Sequence, residues 1–435
     1  MPSDLFERLP AEILLPVLKQ LPEITSLSHV LKASPHVYRF FETYGVEIFE
    51  SILTSGTIHQ YTSAIIRIVT MLRSSTLPPD VLDLESFEDM YVYETQMLRY
   101  PDQGVRIPLR LSPATPAATL RGIMASHCKN ERLMVSCLKF YLDRFRPLRP
   151  LHVEEPEQCR EEYEWRGVDS RIASEFVGSW EVKPEVCPAE VSDIGPPTWI
   201  EEQRVLRALW RNQLFLQLKT GATDGTLSSV WPKRSIQAIS RYEDATSLWC
   251  FGGRMADPNF VHGDMSFSYH TSRFAVENEL VRSTLEYAAE KSQDIARPEF
   301  LQVERDWPIP ERTRQVDDEE EIGSHTSYVA EFFQELSGEE GQHDMGVAAS
   351  PLQHVPWKPF RRLGFAIWCH DRMSGYGFIV AFDPVRHYHL FNVSHASRTM
   401  AWKSVLSQEE VLELERVNKQ WQDEYLKDTQ ESQAI

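Results

Sequence analysis

The sequence is poor in cysteine and has no long apolar run. Six cysteines occur in 435 residues, and no two of them have the C-x-x-C spacing of zinc and redox sites. Such a chain has no disulfide framework, so we expect a reducing compartment, the cytoplasm and/or the nucleus. No basic stretch followed by a continuous apolar one opens the chain, which predicts no signal peptide. The longest apolar runs, near Leu363–Cys369 and Tyr376–Phe382, are too short to cross a membrane.

Basic residues are also scarce relative to acidic ones. The chain has 45 Lys and Arg against 64 Asp and Glu, a formal net charge of -19. Such an excess of negative charge repels phosphate backbones and anionic lipids, so we expect neither nucleic acid nor membrane among the partners. The imbalance lies after residue 146, because residues 1–146 contain 15 basic and 16 acidic side chains. The first third of the chain therefore differs in composition from the rest, and all eleven tryptophans lie beyond it.

Hydrophobic periodicity predicts a mainly α fold. Apolar residues recur at helical spacing through most of the chain, and the main β candidate is a small hairpin near 363–382. Two stretches are rich in proline or acid and read as linkers or surface excursions. The predicted regions are a three-helix module at 1–54, a helical region at 55–146, a Pro/acid-rich linker at 147–197, a helical body at 198–307, an acidic linker at 308–356, and a hairpin with a C-terminal helix at 357–435.

The first fifty residues carry the strongest pattern. Pro10 suits the first position of a helix, because the missing N–H would have no partner there. An aliphatic stripe follows it, and Pro16 within this helix predicts a kink. Pro22 ends the first helix, and Ser34-Pro35 is a cap that begins a third one. Three helices this short bury little surface, so we expect them to complete their core against another surface.

This register resembles an F-box, in the variant found in many fungal proteins. The residues that carry the resemblance are Leu9-Pro10-Ala11-Glu12-Ile13-Leu14, then Leu18, Leu21, Leu27, Ala33-Ser34 and Val37-Tyr38. The third helix has Tyr38, Phe40 and Phe41 where many F-boxes have a tryptophan. The resemblance covers about one tenth of the chain, and no leucine-rich or propeller repeat accompanies it.

The resemblance implies a function. The chain would be the substrate-recognition subunit of a Skp–cullin–F-box ubiquitin ligase and part of the Ubl conjugation pathway. It would bind the small Skp adaptor through apolar anchors, and its C-terminal body would hold an unknown protein target. The anchors that the resemblance implies are Leu9, Pro10, Ile13, Leu14, Val17, Leu18, Leu31 and Tyr38. The alternative is that these residues form intramolecular core and that the chain is a helical scaffold outside any ligase.

The sequence predicts no enzyme, no cofactor and no metal. The Gly-Gly-Arg at Gly252 lacks the lysine of a phosphate loop, and no Gly-x-Ser-x-Gly elbow is present. His387 and His389 share one face of a possible strand, which leaves a metal-dependent hydrolase as a third hypothesis. No H-x-x-x-H or H-E-x-x-H motif accompanies these two histidines, and surface histidines after a hairpin explain them more simply.

Overall fold

The computed structural model describes residues 4–93, 110–153, 186–243, 245–246, 266–291, 305–310, 357–378, 400–417 and 419–420. The chain divides into two compact units. Unit 1 comprises residues 1–139, 199–260 and 280–314, and unit 2 comprises residues 140–198, 261–279 and 315–435. The described residues are mainly helical, which confirms the predicted fold class. No helix among them is both long enough and apolar enough to cross a membrane.

Unit 1 begins with the small helical module that the sequence predicts. A 3-10 turn at Leu5–Arg8 precedes α1 (Ala11–Lys19), α2 (Ile24–Ala33) and α3 (Pro35–Leu53). α1 continues through Pro16, and the Ser34 hydroxyl caps α3 by accepting the Val37 N–H at 3.0 Å. α1 and α2 both pack against α3. Their large buried apolar residues are Leu14, Leu18, Ile24, Leu27, Leu31, Val37, Phe41, Ile48, Phe49, Ile52 and Leu53.

The rest of the described part of unit 1 centres on the packing of two helices against each other. α4 (Gln60–Ser74) packs along α7 (Trp199–Thr223), and α5 (Leu84–Phe87) continues into a π turn at Glu88–Tyr93. A 3-10 turn at Leu227–Ser229 and α8 (Lys233–Arg241) pack on α7. α6 (Ala117–Phe145) and α9 (Ser266–Glu290) each contribute residues to both units.

In its described residues, unit 2 has an aromatic core and a small two-stranded sheet. β1 (Leu151–Val153) pairs antiparallel with β2 (Val186–Pro188), with His152 opposite Cys187. α10 (Lys358–Arg361), α11 (His370–Gly375) and helical residues 400–404 and 408–417 complete the described part. Eight rings of the described residues meet in the core, with Phe145 4.6 Å from Tyr376 and Phe365 4.6 Å from Trp402 between ring centroids. The eight are Phe145, Trp357, Phe360, Phe365, Trp368, Tyr376, Phe378 and Trp402.

The hairpin expected near 363–382 is wrong for residues 363–378, which form turns and α11 instead. Every residue from 363 to 369 is buried. Because this segment is buried on all sides, its sequence shows no alternation of apolar and polar residues. A run of this kind does not distinguish a buried strand from buried turns and helix. Residues 379–382 lie outside the described residues. The strand pair that does form joins positions 33 or more residues apart, Val153 and Val186 being its innermost pair.

Gly364 makes the turn in this apolar run possible. Its φ is +76°, and a Cβ at this position would lie 3.0 Å from Trp368 Nε1 and 3.0 Å from Tyr141 Cβ. Both the backbone conformation and the space favour glycine. We therefore expect Gly364→Ala to lower the free energy of unfolding by about 1–3 kcal/mol. Chemical denaturation followed by tryptophan fluorescence measures this loss, and a change of a few tenths of a kcal/mol would contradict the argument.

Candidate docking surface

The aliphatic face of α1 is divided between core and solvent. Leu14 and Leu18 are fully buried, whereas Ile13 and Val17 have 52% and 43% of their surface exposed. Each pair is spaced four residues apart, so the two pairs form adjacent stripes on one helix. Pro10, one turn before Leu14, is also exposed. α1 thus presents an outward apolar ridge, which we define as Pro10, Ile13 and Val17.

Three of the eight anchors need correction. Leu14, Leu18 and Leu31 lie in the core of the module and have no outward face for a partner. The periodicity showed one wide apolar face on α1, and it did not show how much of that face α3 covers. Leu9 is partly buried. The outward candidates are therefore Pro10, Ile13 and Val17 on the ridge, with Tyr38 on α3.

Tyr38 is held by a residue from α6. The ring has 40% of its surface exposed, and the Arg121 guanidinium lies 4.6 Å from the ring centroid. Arg121 also pairs with Glu42, one turn further along α3. A stacked cation fixes the ring with one face covered, so Tyr38 offers a partner a pre-positioned aromatic edge.

Sequence reasoning missed Leu5, the large hydrophobic residue with the greatest exposed fraction among the described residues, at 78%. It belongs to the 3-10 turn at Leu5–Arg8, immediately before the ridge. The periodic pattern begins at Pro10, and a single leucine in a short turn carries no period. The acidic residue before it, Asp4, was the available signal, because Asp is a preferred cap at the start of a helical turn.

Polar contacts fix the C-terminal end of α1 and the loop after it. Lys19 pairs with Glu47 of α3, and the Ser51 hydroxyl donates to the Lys19 carbonyl at 3.2 Å. The Thr57 hydroxyl donates to the Pro22 carbonyl at 2.8 Å. Side-chain donors thus satisfy the carbonyl of the last residue of α1, which would otherwise lack an intrahelical partner, and a carbonyl of the following loop. The ridge therefore lies on a helix whose position is fixed within its own module.

A second polar cluster in unit 1 is buried and structural. Glu202 of α7 accepts the indole N–H of Trp307 at 2.8 Å and pairs with Arg305 at 3.1 Å. Burial raises the pKa of Glu202 to about 7, and Arg305 opposes this rise. Burial also raises the pKa of Glu23, and the nearby Glu131 carboxylate adds to that effect. Glu202 is thus paired within the protein, which is typical of buried charge in a protein core.

Glu131 has the opposite shift from its two acidic neighbours. Burial alone would raise its pKa, but His127, 3.3 Å away, together with Thr25 and Arg305, outweighs burial and lowers it. The Thr25 hydroxyl donates to the other oxygen of the same carboxylate. Glu131 thereby connects the start of α2 to α6.

The third hypothesis, a metal-dependent hydrolase, concerns residues outside this description. His387 and His389 both lie between the described segments ending at 378 and beginning at 400. Within the residues that the structure does describe, no group of three or more His, Cys, Asp or Glu could hold a metal ion.

Comparison with known proteins gives no relative. No protein-family model matches the chain, and no curated protein or solved structure is significantly similar to it.

Proposed function

We propose that this chain is an F-box protein that binds the Skp adaptor of a cullin-RING ubiquitin ligase. The observation that carries the proposal is the outward ridge on α1, where Ile13 and Val17 face solvent beside a core that is already filled. The N-terminal register that resembles an F-box supports the same conclusion independently of the exposure. Under this proposal the chain supplies no catalytic residue and acts as the subunit that recognises the target.

Burial of the exposed aliphatic area of the ridge would favour association with a partner. Burying a whole Ile or Val side chain contributes roughly 1.5–3 kcal/mol, and about half of each side chain on the ridge is still available for burial. Association also costs side-chain and rotational freedom. Because α1 is already fixed at Lys19 and Pro22, little of that cost comes from ordering the helix itself.

The role of such a protein in ubiquitin transfer is proximity. A target held on the rest of the chain is brought beside the conjugating enzyme, which raises its effective concentration there. The acidic net charge of -19 favours encounter with targets that have a basic surface, but charge affects encounter rate more than the identity of the partner.

The test is a binding measurement with charged ridge residues. We expect full-length wild-type protein to bind purified Skp adaptor, and the double variant Ile13→Asp, Val17→Asp to lose at least about 100-fold in affinity, because two charges would be desolvated at the contact. Isothermal titration calorimetry measures the affinity. Both side chains are about half exposed in the free protein, so the variant should keep the wild-type circular dichroism spectrum.

Leu82→Asp is the matched control for this experiment. Leu82 is 65% exposed and belongs to unit 1, but it lies just before α5, outside the module. The control should bind the adaptor as wild type does. A wild-type chain that binds no adaptor would overturn the ligase proposal and leave the scaffold alternative.

A further inference from the structure

We propose that Asp4 is a positioning residue that holds Leu5 in place as the N-terminal end of the docking ridge. This inference rests on the proposed function, since it extends the same surface toward the same partner, the Skp adaptor. It adds two residues that neither the periodicity nor the family register singled out.

Asp4 bridges two elements of the module. One carboxylate oxygen, Oδ1, accepts the Phe6 N–H at 3.0 Å and so caps the turn at Leu5–Arg8. The other, Oδ2, accepts the Ser34 hydroxyl at 2.6 Å and the His36 N–H at 3.2 Å. One side chain therefore ties the turn that carries Leu5 to the beginning of α3.

This network also suits the charge of a carboxylate. Ser34 and His36 lie at the N-terminus of α3, where unpaired N–H groups and the helix dipole favour a negative charge. The hydrogen bond from Ser34 is the main cause of a lowered pKa for Asp4, and the N–H groups of His36 and Phe6 add to it. Asp4 is therefore ionised at neutral pH, and its three acceptor contacts are charge-assisted.

Apolar burial alone does not fix the turn. None of the residues Leu5–Arg8 is fully buried, Phe6 is partly buried, and most of Leu5 is in solvent. The bonds from Ser34 and His36 to Asp4 therefore add a polar attachment between the turn and the start of α3. The result is a leucine that is presented outward at a fixed place, one short turn before Pro10.

Leu5 is the exposed large apolar residue that precedes the ridge along the chain. The turn ends at Arg8 and α1 begins at Ala11, so only Leu9 and Pro10 separate the two elements. Burial of Leu5, which is 78% exposed, adds more apolar area than burial of either half-exposed ridge residue. We assign to Asp4 the role of holding the turn in place before the partner binds. The entropy cost of ordering the turn is then not part of the free energy of binding.

A double-mutant cycle on the full chain tests this coupling. We expect Leu5→Ala to weaken adaptor binding about 10-fold, through the lost apolar contact. Asp4→Ala should weaken it about 3- to 10-fold, because a free turn must be ordered on binding. In the Leu5→Ala background, Asp4→Ala should have less than about a 2-fold effect, because nothing remains for Asp4 to position.

Glu7→Gln is the matched control for Asp4. Glu7 is exposed in the same turn, and replacing it removes the same charge without removing the cap. Binding by this variant should equal that of wild type. Equal effects of Asp4→Ala in both backgrounds would overturn the inference, since Asp4 would then act through general stability of the module. An unchanged affinity for Leu5→Ala, with the Ile13→Asp, Val17→Asp variant still inactive, would overturn it while leaving the proposed function intact.

Discussion

Replacement of Arg67 by Met should lower the free energy of unfolding by about 3–5 kcal/mol, because it leaves a mostly buried carboxylate without its cation. Arg67 of α4 donates to Glu50 of α3 through Nη2 at 2.8 Å and through Nε at 3.1 Å. The same carboxylate accepts the Leu111 N–H at 2.6 Å. The variant therefore leaves Glu50 in a site built for a charge, with one backbone donor in place of a bidentate partner.

Urea unfolding of the full chain, followed by circular dichroism, measures this effect. Arg416→Met is the matched control, because Arg416 and its partner Glu413 are both more than half exposed. Exposed pairs contribute about 0–1 kcal/mol, so the control should unfold close to wild type. Adding Glu50→Gln to Arg67→Met should recover part of the loss, since no unpaired charge remains. An Arg67→Met variant within 1 kcal/mol of wild type would show that the site tolerates the lone carboxylate.

This ion pair also bears on the proposed function. It joins α3, the long helix against which α1 and α2 pack, to α4, the next helix of unit 1. If it fixes α3, then it also fixes the platform on which the ridge is presented. Stability and binding should nevertheless separate in experiments, because Ile13 and Val17 face solvent while Arg67 and Glu50 face the interior.

Local signals predicted the helix boundaries well. Pro10 and Ser34-Pro35 mark the starts of α1 and α3. The fixed backbone angle of a proline and the Ser34 hydroxyl affect only the first turn of the helix that they begin. A capping box of the same local kind begins the helix at 408–417, with the Ser407 N–H donating to Glu410 at 2.8 Å and the Glu410 N–H donating to the Ser407 hydroxyl at 3.3 Å. These features need only residues three or four positions apart, so the sequence alone contains them.

The features that the sequence did not predict depend on distant residues. Whether Leu14 or Ile13 faces out is decided by where α3 packs, and the periodicity of α1 does not contain that information. The pairing of His152 with Cys187, and the bond from Ser34 to Asp4, likewise join residues about 30 positions apart. The same holds for the apolar run after Leu363, where burial on every side removed the alternation that distinguishes strand from turn.

Glu202 should make the stability of the protein fall as the pH rises from about 5 to about 8. Its pKa is raised by burial from 4.5 to about 7 in the folded protein, so between these values the folded state holds a proton that the unfolded state has lost. Raising the pH through this window removes that proton at a cost to the folded state. A pKa change of this size corresponds to roughly 3 kcal/mol. The raised pKa of Glu23 acts in the same direction.

The variant Glu202→Gln isolates this contribution, because an amide does not titrate and its oxygen can still accept the Trp307 N–H. We expect the wild type to lose up to about 3 kcal/mol relative to the variant between pH 5 and pH 8, measured by chemical denaturation at each pH.

Glu85→Gln replaces an exposed acid in the first turn of α5 and is the control, which should follow the wild-type curve. Arg305→Met should enlarge the wild-type dependence, since Arg305 is the cation that lowers the pKa of Glu202. Parallel curves for wild type and Glu202→Gln would mean that Glu202 is ionised throughout this range, stabilised by Arg305 more strongly than burial penalises it.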